Sequence, residues 1–218
     1  MTITPESVQQ LLSSSDLGDR LSGVNQLRKL PPAIAFELIQ APIKDSNSRV
    51  RYAAVSQMAT LGEQNLETSY QVLHYHLLND PEIDVQAAAA DALGALKLKD
   101  AFDDLQNLYN TTPEWLVKLS IVAAVGVIEE PRAFELLETA LQDDNSLIQT
   151  VAISALGELG DRRAVSLLVP FVTNSDWQIR YRVAQALGRL GGSEVEMSLK
   201  QLAEDEVEIV AQEAKVKV

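Results

Sequence analysis

A β-branched residue returns at a fixed interval down this chain, at Val50, Val85, Val117, Ile148, Ile179 and Val210, with successive spacings of 35, 32, 31, 31 and 31 residues. A period of this size means stacked supersecondary units, because one such unit cannot bury its apolar face alone. Four residues after each anchor stand Ala54, Ala89, Ile121, Ala152, Val183 and Ala214, and eight after stand Met58, Leu93, Val125, Leu156, Leu187 and Val218. Positions separated by four share one face of a helix, so each anchor opens an amphipathic helix.

The rest of the period supplies the stops and starts. Gly94, Gly126, Gly157 and Gly188 stand nine residues after their anchors, where a missing side chain lets neighbouring helices approach. Gly62, Gly160 and Gly191 stand three further on and predict helix ends, since glycine reaches the left-handed conformation without a Cβ clash. Five residues before the anchors, Asp45, Asp80, Thr112, Asp143 and Asn174 are expected to cap the first-turn amides of the coming helix. Thr4 followed by Pro5 is a further helix start.

A second helix per repeat is predicted from apolar residues at helical spacing: Leu66, Tyr70, Leu73 and Leu77; Ala133, Leu136, Leu137 and Leu141; Val165, Leu168 and Val172. A weaker first copy, with Gly23, Val24, Leu27 and Leu30, implies an anchor position at Asp19. The expectation is an all-α chain, a right-handed α-solenoid forming one domain over 1–218. It would have about six helix pairs from residue 14, with anchors at 50, 85, 117, 148 and 179, and a final half-repeat over 206–218. That last helix either caps the stack or docks a second copy as a homodimer.

Composition narrows the classes of function. With 18 Lys+Arg against 31 Asp+Glu the net charge is −13, which repels a phosphate backbone, so no nucleic-acid partner is expected. The absence of cysteine excludes disulfides, thiolate metal ligands and a cysteine nucleophile. The start Met1-Thr2-Ile3-Thr4-Pro5-Glu6 lacks a basic segment followed by an apolar run, and no stretch approaches the ~18 apolar residues of a span. A cytoplasmic protein without membrane insertion is expected. Neither a Gly-x-Ser-x-Gly elbow nor a phosphate-binding glycine loop occurs.

Ala155-Leu156-Gly157-Glu158-Leu159-Gly160-Asp161-Arg162-Arg163-Ala164-Val165 and its echo Glu129-Glu130-Pro131-Arg132-Ala133 resemble the short HEAT-like repeats of the phycobilisome bilin-lyase family. The resemblance covers residues from about 14 to 218, mostly at structural positions. It implies a protein that binds phycobiliproteins or other phycobilisome components and acts in phycobilisome degradation, by bilin detachment or antenna disassembly. It equally admits a lyase subunit that attaches or transfers a phycobilin to a phycobiliprotein cysteine, and a HEAT scaffold for another complex remains a third possibility. No cofactor is required; a non-covalent phycobilin such as phycocyanobilin is the ligand the resemblance implies.

Candidate site residues are those that the repeat does not use. The two histidines, His74 and His76, project about 200° apart on a helix, so they cannot ligate one metal ion, and no metal site is expected. They are read at opposite borders of the Leu66–Leu77 stripe, either as locally bonded boundary residues or as acid–base groups on a ligand-facing patch. Tyr75 points away from the core between them, and Tyr70 belongs to the stripe itself. Trp115 and Trp177 stand two residues before their anchors, where they either pack across loops or contact a partner. Arg180, Tyr181 and Arg182, with Arg162, Arg163 and Arg189 nearby in the repeat, are suited to partner carboxylates or bilin propionates. The positions equivalent to Arg180, one residue after the other anchors, hold Arg51, Gln86, Lys118 and Gln149, which also suit a solvated ladder between units.

Overall fold

The computed structural model describes residues 3–217; Met1, Thr2 and the expected core position Val218 lie outside the described residues. Among the described residues there are fourteen α-helices and no strand. The chain divides into two compact units after Ala124. The first holds α1 (Pro5–Leu12), α2 (Leu17–Leu27), α3 (Pro32–Ile39), α4 (Ser48–Leu61), α5 (Leu66–Asn79), α6 (Ile83–Ala95), α7 (Phe102–Thr111) and most of α8 (Trp115–Val127). The second holds the end of α8, then α9 (Ala133–Ala140), α10 (Ser146–Leu159), α11 (Ala164–Leu168), α12 (Trp177–Leu190), α13 (Glu196–Leu202) and α14 (Glu208–Lys215). Short 3-10 turns, including Pro42–Lys44 and Gly62–Gln64, join several of them.

The anchor is the third residue of α4, α6, α8, α10, α12 and α14, and every anchor is buried. Asp19 occupies the same place in α2. Fully burying a valine or isoleucine is worth about 1.5–3 kcal/mol, so the anchors fix which face of each helix turns inward. In the first unit α4 packs on α2 and α6; in the second α12 packs on α10 and α14.

Glycine sets how closely these helices come. A Cβ built on Gly94 would lie 2.6 Å from the Cα of Ala124, and one on Gly157 would lie 2.7 Å from the Cα of Ala186. Gly126 meets Ala155 in the same way. The glycine nine residues after one anchor thus receives the alanine seven residues after the next.

Three expectations about helix ends and faces are revised. The polar residues five before the anchors do not cap the first helical turn. They accept from the amide two residues ahead, before the helix begins: Asp45 from Asn47, Asp80 from Glu82, Thr112 from Glu114, Asp143 from Asn145 and Asn174 from Asp176. The caps proper are Asn47, Asn145 and Asp176, two residues later than expected. Thr4 does cap α1, in a reciprocal pair with Ser7.

Gly160 ends α10 in the left-handed region at φ 72°, and Gly191 has φ 62°, but Gly62 is right-handed at φ −62° and continues into a 3-10 turn. What Gly62 needs is space, since a Cβ there would lie 2.5 Å from a Leu96 methyl. Lys97 and Glu129 hold the equivalent left-handed position without glycine, at about 1–2 kcal/mol each. The buried stripe of α5 is also rotated from the expected one. Ser69, Leu73, His76 and Leu77 are buried, whereas Leu66 is exposed and Tyr70 only half-buried.

Candidate functional site

The arginine one residue after an anchor forms a rung from one repeat to the next. Arg51 donates Nη1 to the Asp45 and Ser46 carbonyls of its own loop, and Nε and Nη2, both at 2.8 Å, to the two carboxylate oxygens of Asp80 in the next loop. Arg20 repeats this with the Ser14 and Ser15 carbonyls and Asp45. Arg180 repeats it with the Asn174 and Ser175 carbonyls and Asp205. Gln86 performs half of the same task, donating to the Asp80 carbonyl at 2.9 Å.

These rungs are largely buried, where a solvated ladder was expected. Arg180 is only 8% exposed, and its donors are taken up inside the fold, so it is not open to a partner's carboxylate. The charge is delocalised over a fixed planar fork, which is why arginine rather than lysine suits a buried bidentate contact.

The Asp80 rung carries an addition that the others lack. His76, four residues earlier on α5 and 4% exposed, bonds through Nδ1 to Asp80 Oδ2 at 2.9 Å. Each Asp80 oxygen therefore receives two donors: Arg51 and His76 at Oδ2, Arg51 and the Glu82 amide at Oδ1. Burial alone would raise this carboxyl. The hydrogen bonds from Arg51, His76 and the Glu82 amide, with the Arg51 charge, outweigh it and hold Asp80 below the usual carboxylate range. The same pairing raises Arg51.

This cluster floors a cleft of about 620 Å³ in the first unit. Its walls are Ile43 and Lys44 from the 3-10 turn, Gln71, Val72, Tyr75 and Asn79 from α5, and Pro81 beyond it. Tyr75 is 59% exposed, and its ring stands edge-on to that of His76, 5.5 Å between centroids at 87°. Among the described residues no buried side-chain nitrogen or oxygen lacks a partner. Nε2 of His76 has no partner and is therefore not fully buried, and the residue lines the cleft.

His74, read as the opposite border of the stripe, is half-buried and joins α5 to α7 through Asp104, Nε2 to Oδ2 2.9 Å. Tyr70 packs beside it, ring centroids 5.4 Å apart. Burial, then the negative charges of Asp104, Asp100 and Glu67, push the Tyr70 hydroxyl up. The two imidazoles have separate carboxylate partners, and among the described residues no group of three or more His, Cys, Asp or Glu is placed to hold a metal ion.

The remaining candidates are distributed. Trp115 and Trp177 are the first residues of α8 and α12, 49% and 41% exposed. Tyr181 accepts from Gln185 Nε2, and the exposed Arg182 donates to the Gln185 side-chain oxygen and lies over the Tyr181 ring. Arg162, Arg163 and Arg189 pair with Glu194, Asp161 and Glu158.

The sequence alone does not single out Arg51, Asp80 and Lys44 as site residues. A signal was present: a histidine four residues before an aspartate that is itself the rung acceptor of the preceding repeat's arginine. No described helix is long and apolar enough to cross a membrane.

Comparison with known proteins places the fold. None of the curated proteins matches the chain in sequence. Among solved structures, Escherichia coli YibA is similar at 19% identity and a TM-score of 0.70, covering 98% of this chain and 80% of that one. The complex of CpcE and CpcF of phycocyanin lyase from Nostoc sp. PCC7120 is similar at 21% identity and 0.65, covering 100% and 96%. An archaeal HEAT-like repeats protein from Thermococcus onnurineus NA1 gives 14% and 0.59, covering 100% and 96%. At these identities the likeness is one of fold. The family of HEAT repeats matches residues 70–157 and 136–216, most of the chain and both of its compact units, and the chain belongs to that family.

Proposed function

We propose that this protein docks bilin-bearing phycobiliproteins and promotes bilin detachment or antenna disassembly, a role like that of the cyanobacterial phycobilisome-degradation protein NblB. The observation that carries it is the outer face of α5, where Tyr75 stands exposed beside an open cleft. An exposed tyrosine supplies contact area at small entropic cost. Two further points support the choice of partner: the Ala155–Val165 motif, and a likeness to the phycocyanin lyase complex over nearly all of both chains. The fold itself is shared with proteins of other descriptions, so the motif, rather than the architecture, selects the phycobiliprotein.

A second possibility, a lyase subunit that attaches a phycobilin to a phycobiliprotein cysteine, is favoured by one feature. The His76 ring, oriented by Asp80, reaches the cleft and provides an acid–base group there.

Incubation of the purified protein with phycocyanin, followed by denaturation and measurement of covalently attached pigment, separates the two. Saturable binding with loss of pigment is expected. Pigment retained despite tight binding would overturn the detachment role. Pigment gained by apo-phycocyanin supplied with free phycocyanobilin would support the lyase instead. Absence of any phycocyanin binding would leave a HEAT scaffold for another complex.

A further inference from the structure

The cleft over Asp80 has a charge balance that selects its occupant. Two of its carboxylates are neutralised within the fold, Asp45 by Arg20 and Asp80 by Arg51. Its remaining charge is the Lys44 ammonium at the rim, exposed and without a partner among the described residues. Its floor presents His76 Nε2. Because Nδ1 donates to Asp80, the neutral ring offers Nε2 as a bare acceptor fixed in direction. The walls are apolar at Ile43, Val72 and Pro81, and Tyr75 gives an aromatic surface. The volume, about 620 Å³, is that of a small-molecule site, for which roughly 300–1,000 Å³ is usual.

We propose that this cleft is a binding site for a flat aromatic or conjugated anion that carries an N–H or O–H donor. The donor meets His76 Nε2, the planar body lies against Tyr75 and Val72, and the anionic group reaches Lys44. Nothing in the repeat requires this combination. The Arg20 and Arg180 rungs close without a histidine, and His76 joins only the Asp80 rung. The site stands on the residues of the first unit alone and holds whether or not the protein docks phycobiliproteins.

The probe is 8-anilino-1-naphthalenesulfonate, which has a flat ring system, an N–H donor and a sulfonate, compared with N-phenyl-1-naphthylamine, which lacks the sulfonate. Fluorescence titration of the full chain should give one saturable site for the sulfonate. Lys44→Ala should weaken it about fivefold, the scale of one exposed ion pair, and leave the uncharged probe unchanged. Tyr75→Ala should weaken both about tenfold. Both side chains are exposed, so neither variant threatens folding. The chain has only two histidines, so NMR of the imidazoles gives an independent reading. The His76 ring should shift on titration and report the Nδ1–H tautomer, with His74 unmoved. Equal affinity of wild type and both variants would overturn the proposal. So would a shift at His74 in place of His76, or loss of both probes on Lys44→Ala.

Discussion

Replacing Asp80 by asparagine keeps the side chain's shape, removes its charge and turns one of its two acceptor oxygens into a donor. The pair it breaks is buried, with the Arg51 side chain 12% and the Asp80 side chain 2% exposed. Removing one partner of such a pair generally costs about 3–5 kcal/mol, because the other charge is left uncompensated. Asparagine still accepts from the Glu82 amide and one Arg51 donor, but its NH2 then faces Arg51 Nε–H and the His76 ring, so a loss of at least about 3 kcal/mol is expected. In a chain of 218 residues, 1 kcal/mol moves Tm by roughly 2–4 °C, which gives about 6–12 °C. Two compact units need not melt together, so the first should be followed by itself. A Trp177→Phe background does this, since it leaves Trp115 as the only tryptophan. The pH dependence follows from the carboxyl being held low in the fold. Its contribution is full above the unfolded value near ~3.9 and is lost as pH falls through the folded value. The gap between wild type and Asp80→Asn should therefore narrow as acid is added. Arg51→Met and the double variant complete a cycle whose coupling energy should be stabilising. A change below about 1 kcal/mol at neutral pH, or a gap that widens in acid, would refute the buried-pair account.

In the second unit, Arg180→Ala should destabilise by about 3 kcal/mol, followed by Trp177 fluorescence in denaturant, yet leave phycocyanin binding unchanged below the transition because its donors face inward. Gly157→Ala drives a Cβ against the Ala186 backbone. Overpacking of about 1–3 kcal/mol then exceeds a helix-propensity gain of about 1, so the midpoint falls. Gly188→Ala meets only the flexible Lys217 side chain, and its midpoint should hold or rise. Gly160→Ala, at φ 72° with open space around it, should lose about 1 kcal/mol by left-handed strain alone, read as a lower denaturant midpoint at unchanged slope.

The repeat made most of the fold legible, because anchors, small residues and stops report packing that recurs at one interval. The anchors from Val50 to Val210 are buried, and Gly94, Gly126 and Gly157 receive a neighbouring alanine. Legibility failed where a residue serves a partner distant in sequence. Asp80 looked like a helix cap because its Asx turn is local, whereas its stronger bonds come from Arg51, 29 residues away. Arg180 looked like surface charge because arginine usually is, but the carbonyls and Asp205 that bury it are set by loop geometry. A stripe that includes Leu66 sets His76 at its border. Exposure of Leu66 turns the helix, and the imidazole inward. Lys44 carried no signal, since its importance lies in being the charge left over when its neighbours are paired.

The rungs also bear on how such a chain can be lengthened. Where the helix offers arginine, as at Arg20, Arg51 and Arg180, the following loop offers Asp45, Asp80 and Asp205; where it offers Gln86, the following loop offers Thr112. Each of these four repeats is therefore keyed to its successor. Tandem duplication of the stretch from residue 46 to 80 would place a second Arg51 six residues after the first Asp80 and ahead of the second, so every key would still meet its lock. Inserting the Gln86 helix ahead of an aspartate loop would leave a buried carboxylate without its cation. Exchange of single repeats should thus be tolerated in pairs that respect this lettering and rejected in pairs that do not.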